Sequence, residues 1–430
     1  MIDITFLMRF VKTNKKIMKK IIFIFCLVYG SVYGQENKFV SYLKNNKTLL
    51  DLNGKTNWEQ LQMDAEQNQF LILGESHGAQ DAQLIDFSLL KYLNKTVGTK
   101  KYIAELDYAQ SLCINEYLKN GNETILKNVF RYWVKDNSQW GNYDFYNKII
   151  KIRALNKTLP KSRQITFTGI DRVQDFDLYF KLINKFIGNK KNQILDSLRY
   201  IVNDTYNDTQ IVKISVFAKN YFEKIGENRI EFDKLFGRQL PIFEYLIQNL
   251  SYSSTKKSGV TRPEAMFRNY KQLYSILHFE NEKLYGMWGY FHAHQVPVQF
   301  VGEDFASKLV SSDHPSSKSV ISIVCLPIES KYNVWDSKIS SWIKQPFSYD
   351  DKALLLVDGI ENLKVLTTNN SKTLFKIDAP NSPFAKTGQL FNGTAPQGKL
   401  MGDFRRRDFA YQYVILMRNS DWLNPLPKDF

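Results

Sequence analysis

Gly74-Glu75-Ser76-His77-Gly78 sets a carboxylate and an imidazole two residues apart, directly after the apolar run 70–73. In extended backbone, positions two apart point to one side, so Glu75 could orient the His77 ring while that ring takes a proton from water. Apolar run followed by acid returns at Tyr102-Ile103-Ala104-Glu105-Leu106-Asp107 and at Thr168-Gly169-Ile170-Asp171. A carboxylate placed like Glu105 must be paired or protonated, whereas Asp107 and Asp171 also suit capping of the helices that follow. Gly289-Tyr290-Phe291-His292-Ala293-His294 holds two of the chain's five histidines, and in extended backbone both would face one way. Arg262-Pro263 opens a helix with Arg262, Met266 and Asn269 on one stripe, where a guanidinium could bind a carbonyl or a developing oxyanion.

These residue types suit hydrolysis without a covalent nucleophile. His77 is the expected base on water, Glu75 or Glu105 its orienter, and His292 or His294 a support for the tetrahedral intermediate, with Arg262 and Asp171 beside them. Each has a plainer reading: a salt-bridged turn for Glu75 and His77, core positions for the later histidines, and a surface helix for Arg262. A divalent ion held by His77, the two later histidines and a carboxylate is a rival, although the spacing is not an HExxH helix. Ser76 stands in a literal G-x-S-x-G, but its flanking Glu75 and His77 cannot both be the usual distant triad partners.

To bring these groups together, the chain needs strands ending where they begin. Short buried strands are expected at 70–73, 101–106, 164–169, 284–290 and 320–326. Helical patterns alternate with the first three, including 81–93 with Leu84, Phe87, Leu90 and Leu93 on one face. The expected architecture is therefore α/β, a mostly parallel central sheet flanked by helices, with ligands at the carboxyl ends of its strands. From about 174 to 280, amphipathic stretches such as 211–225 and 238–250 predict a helical insertion able to wall a pocket, and 251–259 reads as an exposed loop. Apolar runs at 353–357 and 411–417 are expected to complete the sheet. There is no internal repeat.

With 430 residues, 43% of them hydrophobic, the chain can bury a large core. Lys19-Lys20, an apolar run from Ile21 to Tyr29 and small residues ending at Gly34 have the plan of a secretory signal peptide over 1–34, with a mature domain over 35–430 and periplasmic or secreted delivery. That run is too short to span a bilayer. Residues 1–34 hold six Lys or Arg and one Asp, so without them the net charge falls from +15 to about +10. Scattered lysines and one cluster, Arg405-Arg406-Arg407, carry no nucleic-acid motif, which leaves a small-molecule substrate as the expected partner. Cys113 and Cys325 alone remain, which excludes a disulfide framework and a cysteine zinc site and permits one disulfide.

Taken in order, Gly74-Glu75-Ser76-His77-Gly78, Glu105, Gly169-Ile170-Asp171, the stretch 262–269 and His292/His294 resemble the erythromycin esterase-like superfamily over about residues 65–300. The resemblance implies a mixed α/β core whose cleft uses glutamate and histidine to activate water and open a macrolactone ester. The esterases carry Gly-Glu-x-x-His-Gly and His-Asn-x-His, each one residue longer than the motifs here. The short first motif is similar to that of ChaN-type lipoproteins, which implies haem as an alternative ligand. It is also similar to that of TIKI and TraB proteins, which implies metal-dependent hydrolysis.

Overall fold

A computed structural model describes residues 37–52, 57–203, 210–298, 301–351, 355–385, 387, 389–391, 393–394 and 409–430. The leader pattern over 1–34 and the cluster Arg405-Arg406-Arg407 lie outside them. The described strands are β1 (Lys47–Leu49), β2 (Phe70–Glu75), β3 (Lys101–Ala104), β4 (Thr166–Gly169), β5 (Leu284–Gly289), β6 (Val320–Ile328), β7 (Ser330–Asp336), β8 (Ser341–Phe347), β9 (Asp350–Asp351), β10 (Leu355–Val357), β11 (Lys372–Lys376), β12 (Gly393–Thr394) and β13 (Tyr413–Arg418). Eight of them form one sheet in the order β1-β11-β13-β6-β2-β5-β3-β4. The run from β13 to β4 is parallel, and β11 and β1 add an antiparallel edge. The fold is α/β, as the alternation of apolar runs and helical patterns predicts.

Every residue of β2, β5 and β6 is buried, as a parallel sheet covered on both faces demands. The period of two divides β2 between two cores: Phe70 and Ile72 join one apolar cluster, Leu71 and Leu73 the other. The first cluster is roofed by helices that lie between β4 and β5, among them Phe176–Ile187, Ile211–Glu227, Leu240–Ser251 and Arg262–Ile276. The second is covered by Gln80–Val97, Tyr108–Asn120, Glu123–Lys135 and Tyr143–Thr158. Among the described residues, no helix is long and apolar enough to cross a membrane.

Three details depart from the expected layout. In Gln80–Val97 the buried stripe is Ala82, Ile85, Asp86, Leu89, Leu90 and Leu93, while Leu84 is exposed. The cause is polar: Asp86 is wholly buried because Lys148, Tyr102 and Tyr285 all reach its carboxylate. Of the run 353–357, residues 353 and 354 lie outside the described residues, and the rest, β10, pairs with β9 and β12 in a separate small sheet and not with the main one. Of the expected loop 251–259, Ser251–Ser254 are buried and only the short helix Thr255–Ser258 and Gly259 turn outward. Cys113 and Cys325 are both free thiols.

Candidate active site

β3 and β5 pair only at Lys101↔Leu284 and Tyr102↔Tyr285, after which the strands part. Beyond that point Met287 N–H donates to the Tyr102 hydroxyl at 3.2 Å, the Trp288 indole N–H to Ile103 O at 2.7 Å, and Gly289 N–H to Glu105 Oε2 at 2.7 Å. Side chains thus take over ladder bonds and open a crevice at the carboxyl end of the sheet, where α/β proteins place ligands.

At the tip of β2, His77 Nδ1 lies 2.5 Å from Glu75 Oε1. Glu75 is buried, whereas 37% of the His77 side chain is exposed, with the Trp140 ring edge-on at 5.2 Å. Burial pulls the imidazole down, but the charge of Glu75, its hydrogen bond and the charge of Glu105 outweigh that and raise His77 to about 9. Two adjacent carboxylates thus make His77 more basic than an ordinary imidazole.

Glu105 is only 3% exposed and serves as the hub of a second group. Its Oε1 accepts from Arg262 Nη2 at 2.6 Å and lies 3.3 Å from His292 Nε2. Burial favours the neutral acid, yet His292, Arg262 and His77 together hold Glu105 well below the ordinary carboxylate range. Arg262 grips Asp171 as a fork, Nε at 3.1 and 3.0 Å from its two oxygens and Nη2 at 2.5 Å from one of them. His292 Nδ1 meets Asp304 Oδ1 at 2.5 Å. Burial lowers His292, but the charges and hydrogen bonds of Glu105 and Asp304 raise it to about 10.

Local structure explains these placements. Thr261 caps the helix Arg262–Ile276 and Pro263 occupies its first turn, so the Arg262 side chain leaves the helix start toward the strand ends. Met266 and Asn269 are buried on the same stripe as predicted. Asn269 and Asn249 both donate to the Asp171 carbonyl, at 3.2 and 3.1 Å, and fix the loop that carries it. Asp171 therefore does not cap a helix; Asp175 does that for Phe176–Ile187. Asp107 follows the capping reading, closing a capping box with Gln110 and accepting from Gln174 and Asp175 N–H at 2.9 Å.

His292 and His294 diverge, contrary to the extended reading. After Gly289 the chain enters a 3₁₀ turn, Tyr290–Ala293, where residues two apart no longer share a side. His294 is buried among Tyr290, Tyr411 and Phe291, its Nε2 has no partner among the described residues, and burial lowers it to about 4. The set of three histidines considered for a divalent ion therefore does not assemble. Among the described residues no three His, Cys, Asp or Glu side chains could hold a metal ion, and both His292 nitrogens face carboxylates. Ser76 turns away from His77 toward the buried Tyr349 hydroxyl, at 2.5 Å, which leaves the elbow reading without its base.

Glu75, His77, Glu105, Asp171, Arg262 and His292 thus gather at adjoining strand ends. A cleft of about 430 Å³ opens on His77, Glu105, Asp171 and Arg262, with Trp140, Tyr132 and Phe176 on its walls. Gly289 makes the assembly possible: a Cβ there would stand 3.0 Å from His77 Nε2 and 3.4 Å from His292 Cδ2. Asp304, Asn249 and Trp140 escape the sequence reading, as does the bond from the Asn269 amide to the Asp171 carbonyl. Only Asp304 carries a local signal, as the cap of Phe305–Ser311.

No family model and no curated protein matches the chain by sequence. Solved structures do match. A protein of Bacillus cereus aligns with TM-score 0.66 and 15% identity over 91% of this chain and 100% of its own. A succinoglycan biosynthesis protein aligns with TM-score 0.66 and 12% identity over the same shares. A mutant of the erythromycin esterase EreC in its open conformation aligns with TM-score 0.62 and 15% identity over 87% of this chain and 98% of its own. At such identities the likeness speaks for architecture, and the chain has the erythromycin esterase-like fold.

Proposed function

We propose that the chain is an exported hydrolase that cleaves an ester or related bond of a small molecule with water activated by His77. The observation that carries this reading is that His77, held by Glu75, lines one cleft with Glu105, Asp171 and Arg262, which His292 joins through Glu105. Glu75 accepts from Nδ1 and so presents Nε2 to the cleft, where it takes a proton from water as that water attacks the carbonyl. The leaving alkoxide then recovers the proton from His77. Protonated His292 carries hydrogens on both nitrogens, so it cannot accept from Arg262 Nη1, 3.4 Å away. The Nη1 hydrogens are then left for the developing oxyanion, while Glu105 and Asp171 fix the guanidinium plane. Export rests on the leader pattern over 1–34, with a mature chain starting at Gln35.

Purified protein offered 4-nitrophenyl acetate and related esters is expected to turn them over, and His77→Ala to lower kcat/KM by at least about 100-fold. Equal turnover by both proteins would exclude His77 as the base. A Soret shift on haem titration, lost in His292→Ala, would instead assign the cleft to haem binding.

A further inference from the structure

Arg172 is the cation of the cleft that this mechanism leaves unused. It lines the same cavity as His77 and Arg262 and is half-buried. Among the described residues its one side-chain hydrogen bond runs from Nη1 to Thr255 Oγ1 at 2.9 Å, which leaves four of the five guanidinium N–H donors open there. Among the described residues no carboxylate lies within ion-pair distance of Arg172. The cleft's acids are otherwise engaged: Arg262 holds Glu105 and Asp171, and Asp136 is not free either. Burial lowers Arg172 and the neighbouring Arg262 lowers it further, against the charge of Asp171. A partly desolvated guanidinium without a counter-ion among the described residues stands ready to take an anion from a ligand. Thr255 belongs to the short helix whose exposed Lys256 and Lys257 add positive charge beside it.

We infer that the cleft takes an ester bearing a second, anionic group, which Arg172 receives while the ester carbonyl faces His77 and Arg262. A carboxylate fits better than a phosphate dianion, because among the described lining residues Arg172 is the one uncommitted guanidinium and Asp171 and Glu105 stand close by. A guanidinium fork and a carboxylate match as two parallel hydrogen bonds. The polar lining formed by Ser138, Gln139 and Gln174 fits such a substrate better than a wholly apolar one.

This inference rests on the hydrolase reading for turnover and on Arg172 alone for binding, and the test separates the two. Hydrolysis of the 4-nitrophenyl monoester of succinate is compared with that of 4-nitrophenyl acetate, for the native protein, Arg172→Gln and Arg172→Lys. The ratio of kcat/KM for the anionic over the neutral ester is expected to fall about 10- to 100-fold in Arg172→Gln, mostly through KM, and to recover in part in Arg172→Lys. An unchanged ratio overturns the inference and leaves the hydrolase reading intact. Succinate binding is measured in parallel by calorimetry on His77→Ala. Binding that Arg172→Gln removes, without turnover of either ester, would keep the anion site and discard the hydrolase. A preference for a phosphate-bearing ester over the succinate one would overturn the assignment to a carboxylate.

Discussion

Glu75 Oε1 stands 2.5 Å from His77 Nδ1, and this contact sets both the direction and the basicity of the ring. With Nδ1 committed to the carboxylate, Nε2 is the nitrogen left for water. With His77 raised to about 9, the imidazolium dominates in the empty site at neutral pH. The kcat/KM of native protein is therefore expected to climb about tenfold per pH unit below 9 and to level above it. Glu75→Gln removes the main group that raises the ring, so its limb should shift to lower pH while its plateau drops. A rate that declines above pH 9 would assign the protonated ring, not the base, to the reaction.

Gly289→Ala tests the crowding between the two histidines. A Cβ at 3.0 Å from His77 Nε2 and 3.4 Å from His292 Cδ2 forces one ring aside, and misplacement of about 1 Å costs on the order of 100-fold in rate. Activity is expected to fall by that factor. Gly289 has a φ of −54°, which alanine adopts without strain, so Tm should change by only a few degrees. A normal rate would mean that the rings do not need these positions.

Much of this arrangement is legible from sequence, because five strands are apolar runs buried on both faces, with the acids and His77 right at their ends. What is not legible follows from the same physics. β1 has no fully buried residue and β8 is largely exposed, so neither shows as an apolar run. The face of Gln80–Val97 is misread because buried Asp86 and Gln83 interrupt its apolar stripe. Asp304 reaches His292 from a separate capping turn, and the amides of Asn249 and Asn269 act on a backbone carbonyl. No local pattern announces such contacts.

Arg262→Met should weaken the fold as well as the reaction. It leaves Glu105 and Asp171, which are 3% and 1% exposed, without their shared cation, and breaking such a pair costs about 3–5 kcal/mol when both partners are buried. Because 36% of the Arg262 side chain reaches the cleft, solvent screening reduces this to about 2–3 kcal/mol. The sign with pH follows from Glu105. Its folded pKa is depressed, so the stability it contributes is present above its unfolded value and disappears as pH falls through the folded one. Urea unfolding at pH 7 should show the full deficit, and the gap between native and variant should narrow in acid. A gap that widens in acid would contradict the ion-pair account.

His292 and His294 can be told apart by one pair of substitutions. His292 lies between Glu105 and Asp304 at the strand ends, so His292→Phe leaves two buried carboxylates short of a donor and is expected to abolish most turnover. The His294 ring packs against the rings of Tyr290, Phe291 and Tyr411, and its Nε2 is buried without a partner among the described residues. Replacing it with a ring of similar size removes an unpaired polar atom and keeps the packing, so His294→Phe should hold turnover within about twofold and leave Tm equal or higher. Ester assays with thermal melts on both variants provide the comparison. Comparable loss of activity in the two would show that the aromatic pocket around Tyr290 and Tyr411 is coupled to the reaction, and that the separation of the two histidines by the 3₁₀ turn does not decide their roles.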